Sequence, residues 1–419
     1  MLEQGIAIAI FILTILLIIT ERLHRSIVII LMVTLLICLG ILSVDKAIHY
    51  IDFETLLLLA GMMIIVEILR ELGFFHFIAI KIAKQAGSYK NFFLLMSLAT
   101  GLLSPFLHSV TIILIFSSVT VAVCRILKKD PKPLLLSEVF CSNIGGNATL
   151  IGEPTNMMVA LHTGLTFTDF ILVLGPITII CLIICIAILL KLYTFSDEEI
   201  GELIGDIDES SFVKDFSLLN KGIAIFLLTI LLFFIHNILG LSPAAVALLG
   251  ASLMLIFIRT DITTLLSRLE WGTLLFIGGF FVIVGGLTET GVTGEIAELI
   301  SSIPFGSYIL VVFIGLVSAF GSALIDNVPF VALMIPIIEE LSFNFNSAIL
   351  WWSLLLGANL GGNLTPIASS PNIVAIAISE REGVPISFKE FFKLGLPIGL
   401  LTTIISLIVI LGMHLIGYV

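Results

Sequence analysis

The stretch SNIGGNATLIGEPTN, residues 142–156, decides the fold of this chain. It lies inside an apolar run, yet it is rich in glycine, amide and hydroxyl residues and contains one carboxylate. Glycine and proline weaken a helix and leave backbone groups that need other partners. In a bilayer, such a broken backbone is tolerated only where it is buried in protein or lines a cavity. The stretch therefore predicts an interrupted helix beside a polar cavity.

A second stretch, NLGGNLTPIASSPN at residues 359–372, repeats the first at a constant distance of 216 residues. Two interrupted apolar segments at matching places in two halves of a chain point to the binding site of a secondary transporter. The shared glycines, amides and hydroxyls are therefore predicted to bind the substrate. These residues are Asn143, Gly145, Gly146, Asn147, Thr149 and Asn156, together with Asn359, Gly361, Gly362, Asn363, Thr365 and Asn372.

The composition predicts an integral membrane protein. Apolar residues make up 59% of the 419 residues and charged residues only 12%, whereas a soluble domain has about 25% charged residues. The five cysteines do not have metal-ligand spacing, and no nucleotide-binding loop occurs. We therefore expect a lipid bilayer as the surroundings, no direct ATP binding, no nucleic-acid partner, and no cofactor other than Na⁺ as a coupling ion.

Apolar segments of roughly 20 residues, the length that crosses a bilayer, divide the chain into two halves. An acidic linker, 193–218, separates residues 1–192 from residues 219–419. In the first half we predict scaffold spans within 4–71, a hairpin at 91–127, a broken helix at 133–161 and a span at 169–192. In the second half the counterparts are scaffold spans within 219–290, a hairpin at 307–341, a broken helix at 347–378 and a span at 390–416.

The positive charges distinguish a re-entrant hairpin from a kinked span in residues 91–127 and 307–341. If both segments are hairpins, every lysine and arginine except Lys46 falls on one side of the membrane. Positive residues gather on the cytoplasmic side, so hairpins are favoured. Each half then has five spans and one hairpin, which gives ten spans and makes the halves inverted repeats. Both termini are predicted outside the plasma membrane, and the linker 193–218 in the cytoplasm.

Ionisable residues inside apolar segments are candidates for binding the coupling ion. A charged group at the centre of a bilayer costs roughly 2.5–3.5 kcal/mol or more, so such residues are usually functional. Purely structural alternatives are a helix cap for Asp326, a charge at the start of a half-helix for Glu153, and a hydrogen-bonded group for His108. The residues predicted to bind H⁺ or Na⁺ are Asp326, Asn327, Glu153, His108 and Ser109, with a Na⁺ site near Asp326, Asn327 and Asn359.

Residues 142–156 resemble the signature of the ArsB/NhaD branch of the ion-transporter superfamily. Residues 61–66 (GMMIIV) and 326–329 (DNVP) resemble that branch as well, and within it the chain is most similar to P-protein-like and citrate-transporter-like permeases. The resemblance implies an elevator mechanism, in which hairpins and broken helices form a mobile transport domain and the other spans form a scaffold that makes a homodimer. Relatives move arsenite, citrate and other carboxylates or sulfate, or exchange Na⁺ for H⁺.

Two positions depart from the pattern of these relatives. His108 and Ser109 stand where relatives commonly carry Asp-Asn or Ser-Asn-Thr, and Glu153 stands where aspartate is more usual. The first departure argues against a sodium site at the tip of the first hairpin. Asp326 and Asn327 keep such a site plausible at the second tip.

Two hypotheses for the function follow. The first is a permease for a small anion or oxyanion (arsenite or antimonite, citrate or another carboxylate) that is coupled to H⁺ or Na⁺. Because neither motif contains arginine or lysine, backbone dipoles and amides are predicted to hold the substrate, and a neutral oxyacid would fit as well. The second is a Na⁺/H⁺ antiporter that uses Asp326, Glu153 and His108. A channel or receptor makes poor use of inverted repeats, and a membrane enzyme is not expected.

Overall fold

The computed structural model describes residues 1–20, 22–107, 109–195, 209–303, 306–342, 345 and 347–419, and this part of the chain is helical without strands. The predicted all-α class is therefore confirmed. His108 and residues 196–208 of the acidic linker lie outside the described residues. The first ten helices are α1 (Leu2–Ile19), α2 (Arg25–Cys38), α3 (Val44–Tyr50), α4 (Phe53–Glu71), α5 (Phe74–Gln85), α6 (Tyr89–Leu103), α7 (Ser109–Ile126), α8 (Lys132–Gly146), α9 (Pro154–Thr163) and α10 (Phe167–Leu192).

A 3₁₀ turn at Glu209–Phe212 precedes the helices of the second half. These follow one another in the same order and with similar lengths as the helices of the first half. They are α11 (Phe216–Ile235), α12 (Pro243–Ile258), α13 (Ile262–Arg268), α14 (Trp271–Glu289), α15 (Val292–Ser302), α16 (Ser307–Ile325), α17 (Asn327–Leu341), α18 (Ser347–Gly361), α19 (Ser370–Arg381) and α20 (Phe388–Leu415).

Seven of the described helices are long and apolar enough to cross a bilayer, namely α1, α7, α10, α11, α14, α16 and α20. Three shorter helices, α2, α12 and most of α18, are also apolar. A helix of 14–16 residues rises only about 21–24 Å, which is less than the roughly 30 Å of hydrocarbon in a bilayer. The membrane class is thus confirmed, whereas the number of ten spans stays a prediction.

The scaffold helices of the two halves exchange reciprocal contacts. Helix α4 packs against α12, and its counterpart α14 packs against α2, the counterpart of α12. Gly61 of α4 lies so close to Ala247 of α12 that an added Cβ would come within 2.8 Å of the Ala247 backbone. Gly279 of α14 meets Ile29 of α2 in the same way. Each half thus uses the same two helices to contact the other half, which is the contact pattern expected of two units related by a two-fold axis.

Both motif segments are interrupted helices. Helix α8 ends at Gly146 and α9 begins at Pro154, while α18 ends at Gly361 and α19 begins at Ser370. In each half, the first part of the broken helix packs on the two preceding helices and on the last helix of that half. The loops between the parts are therefore enclosed by protein, as broken backbone in a membrane must be.

Each segment predicted to be a hairpin also consists of two helices, α6 and α7 in the first half and α16 and α17 in the second. The break between α16 and α17 is the single residue Asp326, whose φ of 74° and ψ of 151° lie in a region used almost only by glycine. Such a conformation costs on the order of 1–3 kcal/mol and is found mostly at functional sites. The re-entrant path of both segments stays a prediction.

Candidate functional site

The loops of the two motifs are joined by a buried network of amide side chains. The Nδ2 atom of Asn143 donates to Oδ1 of Asn363 at 2.8 Å and to Oδ1 of Asn372 at 2.9 Å. All three side chains are at most 2% exposed. The amides of the second motif therefore serve as partners for the first.

The same contacts occur in the opposite direction. The Nδ2 atom of Asn359, the counterpart of Asn143, donates to Oδ1 of Asn147 at 2.8 Å and to Oδ1 of Asn156 at 2.9 Å. The network thus repeats the reciprocal pattern of the scaffold helices at the centre of the molecule. One buried donor is left over, because Nδ2 of Asn147 has no hydrogen-bond partner.

The remaining polar residues of the motifs hold the interrupted backbone. Asn156 donates to the carbonyl of Thr149 at 2.7 Å, and Asn372 donates to the carbonyl of Thr365 at 2.9 Å. The Thr149 hydroxyl donates to the backbone carbonyl of Pro105, while the Thr365 hydroxyl makes the equivalent 2.7 Å bond to Ala323. Most of the polar side chains predicted to bind substrate therefore satisfy protein groups in this conformation.

The glycines predicted to bind substrate have packing roles. An added Cβ at Gly145 would collide with the backbone of Gly101, and one at Gly361 would come within 2.7 Å of the Cα of Ala319. An added Cβ at Gly146 would lie 2.6 Å from a carboxylate oxygen of Glu153. Gly146 is thus the glycine that makes room for an ionisable side chain. An added Cβ at Gly362 would instead lie 3.4 Å from Cβ of Ser369 and 3.8 Å from Nδ2 of Asn143.

Beside the network lies a small cavity of about 30 Å³, at which the N-terminal ends of six helices meet. The first turn of a helix has unpaired N–H groups and a partial positive charge, which favour an anion. The lining includes one residue from the first turn of each of α2, α7, α9, α14, α17 and α19, namely Arg25, Ser109, Pro154, Thr273, Asn327 and Ser370.

Arg25, the first residue of α2, supplies a fixed positive charge to this cavity. Its guanidinium donates to the hydroxyls of Ser370 and Thr273, each at 3.0 Å, and lies 3.9 Å from the carboxylate of Asp326. It also lies over the ring of Phe276, 5.1 Å from the ring centre. The candidate cavity is thus lined by an arginine in addition to helix N-termini, while the binding of the substrate by backbone dipoles and amides stays a prediction. Arg25 lies far from both motifs in sequence, and the packing of α2 on α14 brings it to the cavity.

The structure brings together four of the five residues predicted for the coupling ion. Glu153, Asp326, Asn327 and Ser109 all line the cavity. The Glu153 carboxyl is only 5% exposed and lies against the side chains of Ser109 and Asn327, close to Asp326. The fifth residue, His108, lies outside the described residues.

The predicted Na⁺ site near Asp326, Asn327 and Asn359 is not assembled in this conformation. Asn359 does not line the cavity, because its side chain is engaged in the amide network. Its Oδ1 atom accepts a 2.6 Å hydrogen bond from the hydroxyl of Thr155. Asp326 and Asn327 therefore face the cavity without this third oxygen ligand.

Sequence reasoning missed the residues that complete the cavity opposite the motifs. Thr273 accepts from Arg25 and donates to the carboxylate of Glu270 at 3.1 Å, so the start of α14 contributes a hydroxyl and the residue before it contributes an acid. Ser370 was visible within the second motif but lacks a matching hydroxyl in the first, where Pro154 stands. Arg25 was missed because it directly precedes an apolar segment, and a charged residue at that position is normally interpreted as lying at the membrane surface.

Two larger cavities adjoin the site. One, of about 320 Å³, shares Arg25, Asp326 and Ser370 with the small cavity, so these three side chains separate the two spaces. The other, of about 430 Å³, lies farther along the helices α9, α14 and α17, whose first turns line the small cavity. Its lining from these helices includes Met158, Phe281 and Ala332.

Comparison with known proteins identifies the family. Residues 15–357 match the citrate transporter family. The chain is 38% identical over 403 residues to the uncharacterized transporter Mb2703 of Mycobacterium bovis, covering 93% of this chain and 94% of that protein. It is 37% identical over 423 residues to the 46 kDa membrane protein of Mycobacterium leprae, covering 98% and 97%. The P protein of Mus musculus is 32% identical over 464 residues, which cover 89% of this chain and 55% of that protein.

The fold is shared with a solved transporter. The crystal structure of the YdaH transporter of Alcanivorax borkumensis superposes with a TM-score of 0.66 at 13% sequence identity, over 94% of this chain and 99% of that one. This likeness concerns the fold alone. The matched segment and the relatives along nearly the whole chain show that the protein is a multi-pass membrane transporter of the citrate transporter family, within the ArsB/NhaD-type superfamily.

Proposed function

We propose that the protein is a secondary active transporter of a small anion or oxyanion, either citrate or another carboxylate, or arsenite or antimonite, driven by H⁺ or Na⁺. The observation that carries this proposal is the convergence of the Arg25 guanidinium and six helix N-termini on one cavity. Guanidinium groups bind carboxylates and oxyanions through paired hydrogen bonds. The N-terminal dipoles add to this attraction inside a low-dielectric site.

The two carboxylates of the cavity account for coupling. Glu153 and Asp326 line the same space as Arg25, so their negative charges oppose the entry of an anion. Two unit charges about 4 Å apart interact by about 4 kcal/mol at an effective dielectric constant of 20. A proton or Na⁺ on either carboxylate removes this repulsion, and by linkage the anion then strengthens cation binding by the same factor. The substrate and the coupling ion thus bind together.

An elevator movement fits the way the cavity is built. Arg25 and Thr273 belong to the helices that exchange reciprocal contacts, whereas Glu153, Asp326 and Ser370 belong to the broken elements. The matching helix order and the reciprocal contacts support two inverted repeats, which alternate access by moving one unit against the other. The 430 Å³ cavity also lies between these two groups of helices. The proposal includes a homodimer in the plasma membrane, with both termini outside and the linker 193–218 in the cytoplasm.

A Na⁺/H⁺ antiporter is the second candidate. The buried Glu153 carboxylate lies close to the partly exposed Asp326 carboxylate. The amides of the motifs are occupied by one another rather than directed at the cavity. In this case Arg25 would serve as the counter-ion of Asp326 and would bind no substrate. The two candidates differ in whether any cation moves when no anion is present.

The test is uptake by the purified protein in liposomes. Labelled citrate, succinate, sulfate or arsenite is added outside, with an inward H⁺ gradient, an inward Na⁺ gradient or neither. Accumulation of one anion above its external concentration under one gradient supports the proposal. Failure of every anion to accumulate under either gradient would overturn it. Liposomes without protein control for leakage, and Lys46→Gln, at an exposed ion pair with Glu289 outside the cavity, controls for a general loss of positive charge.

A further inference from the structure

Glu138 is a fully buried acid outside the central cavity. It lies in the first part of the broken helix α8 and is 0% exposed. The Ser117 hydroxyl donates to its Oε2 atom at 3.1 Å, and the Thr120 hydroxyl hydrogen-bonds its Oε1 atom. Within the described part of the chain, no ion pair involves this carboxyl and no charged side chain acts on it.

Glu138, Ser117 and Thr120 form a cluster whose structural role can be judged by comparison with the second half of the chain. At the positions that correspond to Ser117, Thr120 and Glu138 it carries Ile335, Ile338 and Leu354. Helix α17 nevertheless packs on α18 as α7 packs on α8, and both Ile338 and Leu354 are 0% exposed. The same helix pairing therefore forms with apolar residues at these three positions. Packing does not explain why the first half places an acid there, where its charge is costly.

Complete burial, without a positive charge nearby among the described residues, favours a Glu138 carboxyl group that holds its proton. The hydroxyls of Ser117 and Thr120 donate to its two oxygens and oppose this effect, because such hydrogen bonds stabilise the ionised form, but they offer no positive charge to balance it. The titratable groups that face it from α6 and α7 are Tyr89 and Cys124, both neutral partners of one another. The thiols of Cys181 and Cys185 on α10 face α8. Exposure of this carboxyl to water would remove the cost of burial and favour its ionised form.

Glu138 is also linked to the central site through its helices. It lies five residues before Asn143 on α8, a rise of about 7.5 Å, and Asn143 joins the amide network. Its partner Ser117 stands on α7, whose first residue, Ser109, lines the central cavity. Helix α7 therefore connects the carboxyl to the cavity, and α8 connects it to the amide network beside the cavity. A shift of these broken elements would move both the carboxyl and the central site.

We infer that Glu138, held by Ser117 and Thr120, is a further proton-binding site of the transporter, and that its proton takes part in coupling together with the carboxylates of the cavity. The proton is bound as the neutral carboxylic acid and is released to water as the carboxylate forms when the surrounding helices open. This inference rests on the proposed function, since it names a site for the ion that drives anion transport. It adds a proton site outside the anion cavity to the two carboxylates that line the cavity.

The experiment compares two activities of Glu138→Gln in liposomes. The first is anion uptake driven by an inward H⁺ gradient, and the second is exchange of labelled for unlabelled anion without a gradient. We expect driven uptake to fall at least tenfold more than exchange and the exchange rate to become less dependent on pH. The matched control is the triple variant Ser117→Ile, Thr120→Ile, Glu138→Leu, which transfers the residues of the second half. It should fold, as judged by gel filtration and thermal unfolding in detergent, and show the same uncoupling.

Several outcomes overturn the inference. In the first, Glu138→Gln shows the same H⁺-driven anion uptake as the unchanged protein, and its exchange rate depends on pH in the same way. Another is uptake that depends on Na⁺ alone and loses its Na⁺ dependence in Glu138→Gln, which would make the cluster a Na⁺ site. A third is failure of both variants to fold, which would make the cluster structural. If the unchanged protein moves no anion under any gradient, the proposed function itself fails, and that result is obtained without any variant.

Discussion

The guanidinium of Arg25 lies 3.9 Å from the carboxylate of Asp326, so that the first residue of α2 meets the break between α16 and α17. This pair stands between the small central cavity and the neighbouring 320 Å³ cavity. Under the proposed function, an anion that enters from the larger cavity would compete with Asp326 for the guanidinium. The pair would then be both the barrier at this entrance and the first group to bind a negative charge.

Replacement of Arg25 tests this role directly. Arg25→Gln removes the charge, and Arg25→Lys keeps it but loses the paired hydrogen bonds to Ser370 and Thr273. We expect the KM for anion uptake to rise at least about tenfold in Arg25→Gln, a loss of about 1.4 kcal/mol, and by less in Arg25→Lys. Lys46→Gln is the control. A KM for Arg25→Gln within twofold of the unchanged protein would exclude Arg25 as an anion ligand.

Neutral replacements of the cavity carboxylates should separate anion binding from coupling. Asp326→Asn and Glu153→Gln remove the repulsion between these groups and an anion. The KM for anion exchange is expected to fall and to become less dependent on pH and Na⁺, while accumulation against a gradient is lost. Exchange assays at acidic and alkaline pH, with and without Na⁺, measure both effects. An unchanged dependence on both ions in each variant would show that neither carboxylate takes part in coupling.

The reciprocal amide network predicts that its two halves contribute equally to stability. Asn143→Ala and Asn359→Ala each remove two donors and leave two buried acceptors without them. Each change should cost about 1–3 kcal/mol, measured by thermal unfolding in detergent, while the exposed Asn237→Ala should have no effect. Stability lost in only one of the two network variants would argue against the reciprocal arrangement.

Among the motif glycines, Gly146 is the one whose replacement by alanine should reduce transport most. The added Cβ in Gly146→Ala would lie 2.6 Å from a Glu153 carboxylate oxygen and displace it from the cavity. We expect gradient-driven uptake to fall at least about tenfold, with a smaller loss of exchange. Gly175→Ala in α10, where the nearest atom would lie 3.9 Å away, is the matched control. Normal driven uptake by Gly146→Ala would mean that the position of the Glu153 carboxyl is not important for coupling.

Much of this arrangement follows from local sequence chemistry. Glycine and proline around Gly146 and Pro154 predict a broken helix because both residues weaken helical hydrogen bonding. Asp326 is conspicuous because an isolated acid is costly in an apolar segment. The same signal was available for Glu138, which stands alone in the apolar start of α8.

Other features depend on tertiary packing and leave no local signal. The approach of Arg25 to Ser370 spans most of the chain and results from the way α2 meets α14. The sequence likewise does not distinguish an amide that binds substrate from one that binds another amide. Asn143 and Asn363 are partners only because the two halves face each other. The predicted substrate residues therefore mark the right region, while the cavity beside them is completed by residues from elsewhere.

The most direct test of the anion site is to follow internal pH in liposomes that contain the purified protein. A Na⁺ gradient and then an H⁺ gradient are imposed, first without any anion and then with citrate, succinate, sulfate or arsenite. We predict that protons or Na⁺ move only after one of the anions is added, and that this movement is lost in Arg25→Gln. A change in internal pH on addition of Na⁺ alone would contradict the account and make the protein a cation antiporter centred on Asp326.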